Sequence, residues 1–348
     1  MSGPDRRPDE PSRPRAVIFG CAGASLLEAE RQLYREADPC GFILFERNCE
    51  APDQVRALVD ALREAVGRAD APVLIDQEGG SVARLRPPHW RAAPAAAAIG
   101  ALASRDRELG RQAARLNARL LAAELYDLGI SVNCLPVLDV PAPGAHAVIG
   151  ERAFGTDPEI VAMLGAAACW GLLDGGVLPV LKHIPGHGRA MADSHTDLPV
   201  VEAPRDLLAK VDFHPFRALA HMPWAMTAHI LYKALDDTAP ATTSRTVIGD
   251  VIRGEIGFRG VLLSDDLSME ALKGGLGERA RAALAAGCDL ALHSSGVFKE
   301  MEEIAAAVDA MSAEAAARLE RAEAFRHAPE PVDTVALAAQ LDALMGKA

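Results

Sequence analysis

Short apolar runs alternate with amphipathic stretches along most of this chain. The runs occupy residues 16–19, 41–45, 72–75, 130–135, 178–181, 225–230, 260–264 and 290–292. Each is strand-length and most are rich in Val, Ile, Leu or Phe, as expected of strands buried on both faces. Between them the apolar positions change to helical spacing, over 25–36, 53–67, 104–128, 157–174, 245–256, 278–286 and 298–324, with a final amphipathic helix over 332–345. Within 53–67, Val55, Leu58, Val59, Leu62 and Val66 share one face, and Asp53 is placed to cap the helix. Leu109, Ala113, Leu116 and Leu120 form the stripe of the 104–128 segment, which Gly129 is placed to stop. Pro136 limits the strand part of its run to about Leu135, and Pro158 after Asp157 marks a helix start.

Eight strand candidates, most separated by helices and with no linker or composition shift between them, predict one parallel sheet. At this length the expected fold is α/β, a closed (β/α)8 TIM-type barrel over 16–348 that includes the C-terminal helix. An open doubly wound sheet is disfavoured, because no G-x-G-x-x-G follows an early strand. Residues 1–15, MSGPDRRPDEPSRPR, are charged and Pro-rich without an apolar core, and are expected to be a disordered tail rather than a signal peptide.

Composition narrows the partners. The chain has 48 acidic and 36 basic side chains, a formal charge of −12, which opposes binding to nucleic acid or anionic lipid. No run approaches the ~18 apolar residues of a membrane span. The six cysteines are scattered through apolar runs without C-x-x-C spacing, so they are expected to be reduced core residues. A cytoplasmic, cofactor-free protein, monomeric and with a small-molecule partner, is the resulting expectation.

Candidate chemistry is concentrated in residues 178–199, LPVLKHIPGHGRAMADSHTDLP, where an apolar run passes into Lys182, His183, His187, Asp193 and His195. Asp76, Lys182, His183, His229, Asp265 and His293 each follow the apolar part of a predicted strand. In a barrel those ends share one mouth, the face on which such folds hold their active sites. His187 is expected to brace its loop; His229 and His293 are not expected to be catalytic, and lining the site and a satisfied structural place are both open to them. Strand alternation puts Asp265 and Asp266 on opposite faces but does not say which faces inward.

GHG and DSH within KHIPGHGRAMADSHTDLP, together with IRGEIGFRGVLLSDDLSM, DQEGGSVARLR and IGERAFGTDP, resemble the β-N-acetylhexosaminidases of glycoside hydrolase family 3. More narrowly, they resemble the single-domain bacterial enzymes of peptidoglycan recycling, over roughly residues 16–295. The resemblance implies a retaining exo-β-N-acetylglucosaminidase with Asp265 as nucleophile and His195, paired with Asp193, as acid/base. A histidine titrates near neutral pH, and a neighbouring carboxylate fixes its tautomer and favours the imidazolium that protonates a leaving oxygen. It also implies that Asp76, Arg84, Arg152, Lys182 and His183 hold the hydroxyls of a terminal N-acetylglucosamine. The expected substrates are β-1,4-linked N-acetylglucosaminyl-anhydro-N-acetylmuramyl peptides. The Gly/Ala-rich loop is expected to swing in on substrate, so that without ligand His195 stands far from Asp265.

Three other readings share parts of this pattern. A metal-dependent barrel hydrolase would use His183, His187, His195, Asp193 and Asp265 as ligands, yet Pro185, Gly186 and Gly188 prevent the helical geometry an i, i+4 histidine pair needs; no metal site is therefore expected. A sugar-binding protein without catalysis should lack the nucleophile or the acid/base. A phosphorylase would keep the fold and exchange water for phosphate. Arg189-Ala190-Met191 departs from the resemblance, standing where small or acidic residues are usual.

Overall fold

The computed structural model describes residues 13–194 and 197–346. Its strands are β1 (Arg15–Phe19), β2 (Pro39–Leu44), β3 (Val73–Ile75), β4 (Val132–Asn133), β5 (Leu178–Ile184), β6 (Val200–Val201), β7 (Trp224–Thr227), β8 (Leu231–Tyr232), β9 (Val261–Asp266) and β10 (Leu290–His293). Eight of these close into a barrel in the order β1-β10-β9-β7-β5-β4-β3-β2, every pairing parallel. The eight predicted apolar runs supply these eight strands. Their side chains are almost wholly buried, between the barrel interior and the surrounding helices. That double burial is why the strands carry continuous apolar runs instead of alternation.

β6 and β8 pair separately as a small parallel sheet above the barrel. Two-residue strands have too few positions to show a period, and the sequence pattern did not reveal them.

Several helix boundaries differ from expectation for local reasons. The 104–128 segment holds one helix, Arg107–Asp127, and a short helix that the pattern did not predict, Ala96–Ala103, precedes it. Asp106 divides them, its carboxylate accepting from the N–H groups of Glu108 and Leu109 at 3.0 and 3.1 Å. Leu109 consequently lies in the first exposed turn, whereas Ala113 and Leu120 face the core. The 298–324 segment, by contrast, divides into Phe298–Ala307 and Ala313–Glu323, the second capped by Ser312. Asp53 is not the cap of its helix, which runs Pro52–Val66 from Ala51. The exposed Ala51 and Glu50 N–H groups are taken instead by the Gln54 side chain. Asp157 caps Pro158–Asp174 as its sequence suggests, accepting from Glu159 at 2.9 Å.

The ladder of β4 ends at Asn133, short of Leu135, but the chain does not leave the barrel there. Val137 bridges to Lys182, and the Leu138 N–H donates to the Lys182 carbonyl at 2.7 Å. This second contact with β5 carries Asp139 to the barrel mouth. Of the predicted tail, residues 1–12 lie outside the described residues, while Arg15 begins β1.

Candidate active site

The C-terminal ends of the barrel strands surround a cavity of about 270 Å3. Asp76 after β3, Arg84, Arg152, Lys182 and His183 on β5, and Asp265 on β9 all line it. Ser194 and His187 reach it from the loop after β5, and Asp266 lies beside Asp265. The apolar part of the wall comes from Phe45, Val82, Val148, Ile149, Met226, Met269 and Leu292. Asp193 is half-buried directly before Ser194, and its carbonyl accepts from the Asp197 N–H at 3.0 Å. His195 lies outside the described residues, as does the expectation about its distance from Asp265.

Five charged side chains form one network on the β3–β5 side of the cavity. The Lys182 ammonium, whose side chain is 2 % exposed, stands 2.9 Å from Asp76 Oδ1 and 2.6 Å from Glu78 Oε1. Arg84 donates to the other Asp76 oxygen at 3.2 Å, and Arg152 makes a two-point contact with Glu78 at 2.9 and 2.8 Å. Burial works against ionising Asp76, Glu78, Lys182 and Arg152, but the opposite charges outweigh it. Asp76 and Glu78 are held below the usual carboxylate range by Lys182 and their arginines, and Lys182 above the usual lysine range by Asp76 and Glu78. The guanidinium of Arg84 also lies over the Phe45 ring, 4.8 Å from its centroid.

A second network surrounds the fully buried Asp139. One of its oxygens meets His183 Nδ1 at 2.7 Å; the other accepts from the His183 N–H at 3.1 Å and the His187 N–H at 2.6 Å. Burial would raise this carboxyl, yet His183, these hydrogen bonds and His187 bring it down to about 2. With Nδ1 of His183 committed to Asp139, Nε2 is the nitrogen left for the cavity. His187 Nε2 lies 3.2 Å from Ser194 Oγ, which ties the two ends of the loop together. Burial, with His183 next to it, lowers the His187 imidazole to about 4, so it is neutral at pH 7. The loop-bracing part expected of His187 fits these contacts.

The two adjacent carboxylates of β9 are used differently. Asp266 accepts from the N–H and hydroxyl of Ser268 at 3.0 and 2.7 Å, and from the N–H and hydroxyl of Ser294. Asp265 accepts only the Asp266 N–H, at 2.8 Å, among the described residues. Burial raises the Asp265 carboxyl, but the imidazoles of His183 and His229, the Asp266 N–H and Lys182 outweigh it and leave it below its ordinary value. Asp265 is thus an ionised carboxylate with an oxygen to spare, whereas the oxygens of Asp266 hold a turn.

His229 and His293 stand behind the cavity wall. His229 bonds Thr242 Oγ1 at 2.7 Å and the Asp266 carbonyl at 2.9 Å, while His293 Nε2 lies 2.9 Å from Ser295 Oγ. Their role is to support β7, β9 and β10, without direct access to the cavity. No group of three or more His, Cys, Asp or Glu among the described residues is arranged to hold a metal ion.

Sequence reading missed Glu78 and Asp139. Glu78 sits in DQEGG two residues from the predicted Asp76, and a second carboxylate so near was the available signal. Asp139 was concealed in the run 130–140, where Pro136 marks the expected end of the strand.

Glycosyl hydrolase family 3 N terminal domain is the family model that matches this chain, over residues 24–324. A β-hexosaminidase of Alkalilimnicola ehrlichii is 42 % identical over 280 residues, 79 % of each chain. Among solved structures, NagZ of Neisseria gonorrhoeae in complex with N-trifluoroacetyl-D-glucosamine superposes with a TM-score of 0.84 at 32 % identity, covering 97 % of both chains. A family 3 β-N-acetylglucosaminidase of Paenibacillus gives 0.82 at 34 % identity, covering 95 % of this chain and 67 % of that one. With the family's domain spanning most of its length and close relatives matching nearly end to end, the chain belongs to glycosyl hydrolase family 3 and is a glycoside hydrolase.

Proposed function

We propose that the protein is a retaining exo-β-N-acetylglucosaminidase that removes non-reducing terminal N-acetylglucosamine from β-1,4-linked anhydro-muropeptides. The observation that carries this reading is Asp265, an ionised carboxylate with one uncommitted oxygen, in a cavity walled by fixed hydroxyl-binding ions. At about 270 Å3 the cavity is smaller than the ~300–1,000 Å3 typical of sites for drug-sized ligands, which suits one sugar ring at a chain end. Asp76, Glu78, Lys182, Arg84 and Arg152 together carry one net positive charge, and Asp265 balances it, as suits a neutral sugar. The apolar wall suits the sugar's C–H faces and an acetyl methyl. The names and ligand of the similar proteins support the same substrate class.

In the proposed reaction an Asp265 oxygen attacks the anomeric carbon as the bond to the leaving oxygen breaks. His195, as imidazolium paired with Asp193, gives that oxygen a proton. The neutral imidazole then takes a proton from water, whose oxygen displaces the Asp265 carboxylate and restores the original anomeric configuration. Lys182, Arg84, Arg152 and Asp76 hold the hydroxyls by charge-assisted hydrogen bonds, with His183 Nε2 beside them. Peptidoglycan recycling in the cytoplasm is the setting implied by the sequence motifs.

Water is favoured over phosphate as acceptor because Arg84, Arg152 and Lys182, the Arg and Lys side chains lining the cavity, are each paired with a carboxylate. A phosphate dianion needs cationic partners of its own. The test is turnover of a chromogenic aryl β-N-acetylglucosaminide in phosphate buffer. Wild type should release free N-acetylglucosamine, and Asp265→Ala should lose about a thousandfold or more in kcat/KM. Sugar 1-phosphate as product, or undiminished turnover by the variant, would contradict the reading.

A further inference from the structure

The loop after β5 is tied down by a side chain that the proposed reaction leaves unused. Arg189 Nε donates to Asp212 Oδ2 at 2.7 Å, and the Asp212 side chain is 0 % exposed. Asp212 closes the Leu208–Asp212 segment, ahead of the helix Phe213–Ala218, so the pair joins two separate elements. The loop backbone lies directly against it: Gly186 has φ +138°, and a Cβ there would come within 2.9 Å of the Asp212 Cβ. Only glycine permits both that conformation and that approach.

We propose that Arg189 and Asp212 are positioning residues for the reaction, an ion pair that fixes the base of the loop after β5 and thereby sets where Asp193 and Ser194 stand. This rests on the glycosidase reading, in which the same loop supplies the acid/base.

Among the described residues the other contacts that positions 186–190 make with the rest of the fold run mostly through the backbone, while His187 Nε2 and Ser194 Oγ tie the loop to itself. Tyr232 Oη donates to the Gly186 carbonyl at 2.8 Å, Ala142 N–H to Gly188, and His146 N–H to Ala190, both at 2.8 Å. These hydrogen bonds fix the path of the chain but leave its rotation about that path to side chains. Arg189 is the last side chain with an outside partner before the exposed Met191, and Asp193 and Ser194 come soon after. The other Asp212 oxygen, Oδ1, has no partner among the described residues. Burial drives this carboxyl up to about 6 in spite of Arg189. A buried carboxylate with a single cationic partner is a poor means of gaining stability, since well-packed apolar side chains serve that purpose as well or better. The pair supplies a directional contact instead, and its loss displaces Asp193 and Ser194.

A displacement of about 1 Å at a catalytic group costs on the order of 100-fold in rate. The loss should fall on the step that uses the loop, protonation of the leaving oxygen. The test compares kcat/KM of wild type, Arg189→Met and Arg189→Lys on two β-N-acetylglucosaminides, one with a nitrophenol leaving group and one with an alkyl or sugar leaving group. Arg189→Met should lose about tenfold or more on the poor leaving group and less than about threefold on the nitrophenyl substrate, with Arg189→Lys in between. Equal losses on both substrates, or none on either, overturn the proposal. Should Arg189→Met fail to fold, the double variant Arg189→Met/Asp212→Leu removes both charges together, and the same selective loss is expected of it. A double variant with the wild-type ratio shows the pair to be packing alone. A wild-type enzyme inactive on both substrates defeats the functional reading itself.

Discussion

Lys182 shows how one side chain can organise a site. A lysine in a barrel interior is costly unless it is paired, and here carboxylates on two sides, Asp76 and Glu78, account for its charge. Replacing it with Met leaves those carboxylates facing each other with only Arg84 and Arg152 to compensate. Removing one partner of a buried pair typically costs about 3–5 kcal/mol. The retained arginines place Lys182→Met near the lower end, about 3 kcal/mol in denaturant unfolding. Its kcat/KM should fall by about 10- to 100-fold, the worth of one charge-assisted hydrogen bond to substrate. A variant as stable and active as wild type would mean that Lys182 is only packing. Lys182, Asp76 and Asp265 were legible in the sequence because each follows an apolar run, and the end of a run is the end of a strand. Glu78 was not, since nearness to Asp76 is a weak signal beside its partners, and these come from β5 and from the Gly150–Arg152 turn far along the chain.

At the scale of elements, β5 and its loop carry most of the site, and their stability should depend on acid. In the unfolded chain His187 has its ordinary pKa of about 6.5, whereas in the fold burial and His183 lower it to about 4. As pH falls, the unfolded chain takes up this proton first. The stability due to keeping His187 neutral is therefore complete above about pH 6.5 and is lost on the way down to pH 4. The shift corresponds to about 3 kcal/mol. Asp139 acts in a lower window: its folded carboxyl lies at about 2, so its contribution persists above about pH 4 and disappears toward pH 2. His187→Gln should flatten unfolding free energy against pH between about 6.5 and 4, and narrow the lower window only by the part of the Asp139 shift that the imidazole supplies. An unaltered slope in that range would refute the assignment. None of this could be read from the sequence, where His187 was one of several histidines in a loop. Asp139 reaches it only because the chain past Pro136 keeps its contact with β5. The one segment expected to be continuous but found divided, 298–324, breaks before Ser312, a capping residue that interrupts the helix without interrupting its apolar periodicity.

For the whole molecule the number and order of apolar runs pointed to the barrel, because parallel strands buried on both faces are continuous apolar runs and here alternate with helical segments. The barrel in turn brings residues as distant as Asp76 and Asp265 to one mouth. The net charge of −12 is not concentrated at that mouth, where the lining ions nearly balance. The central claim is that the β9 tip attacks a sugar held by the β3 and β5 tips. A mechanism-based fluorinated β-N-acetylglucosaminide, which forms the glycosyl-enzyme but releases it slowly, followed by peptide mapping, tests this claim most directly. The account predicts one covalent sugar, attached to Asp265, and no labelling of Asp265→Ala; a sugar trapped on Asp266 or any other side chain would contradict it.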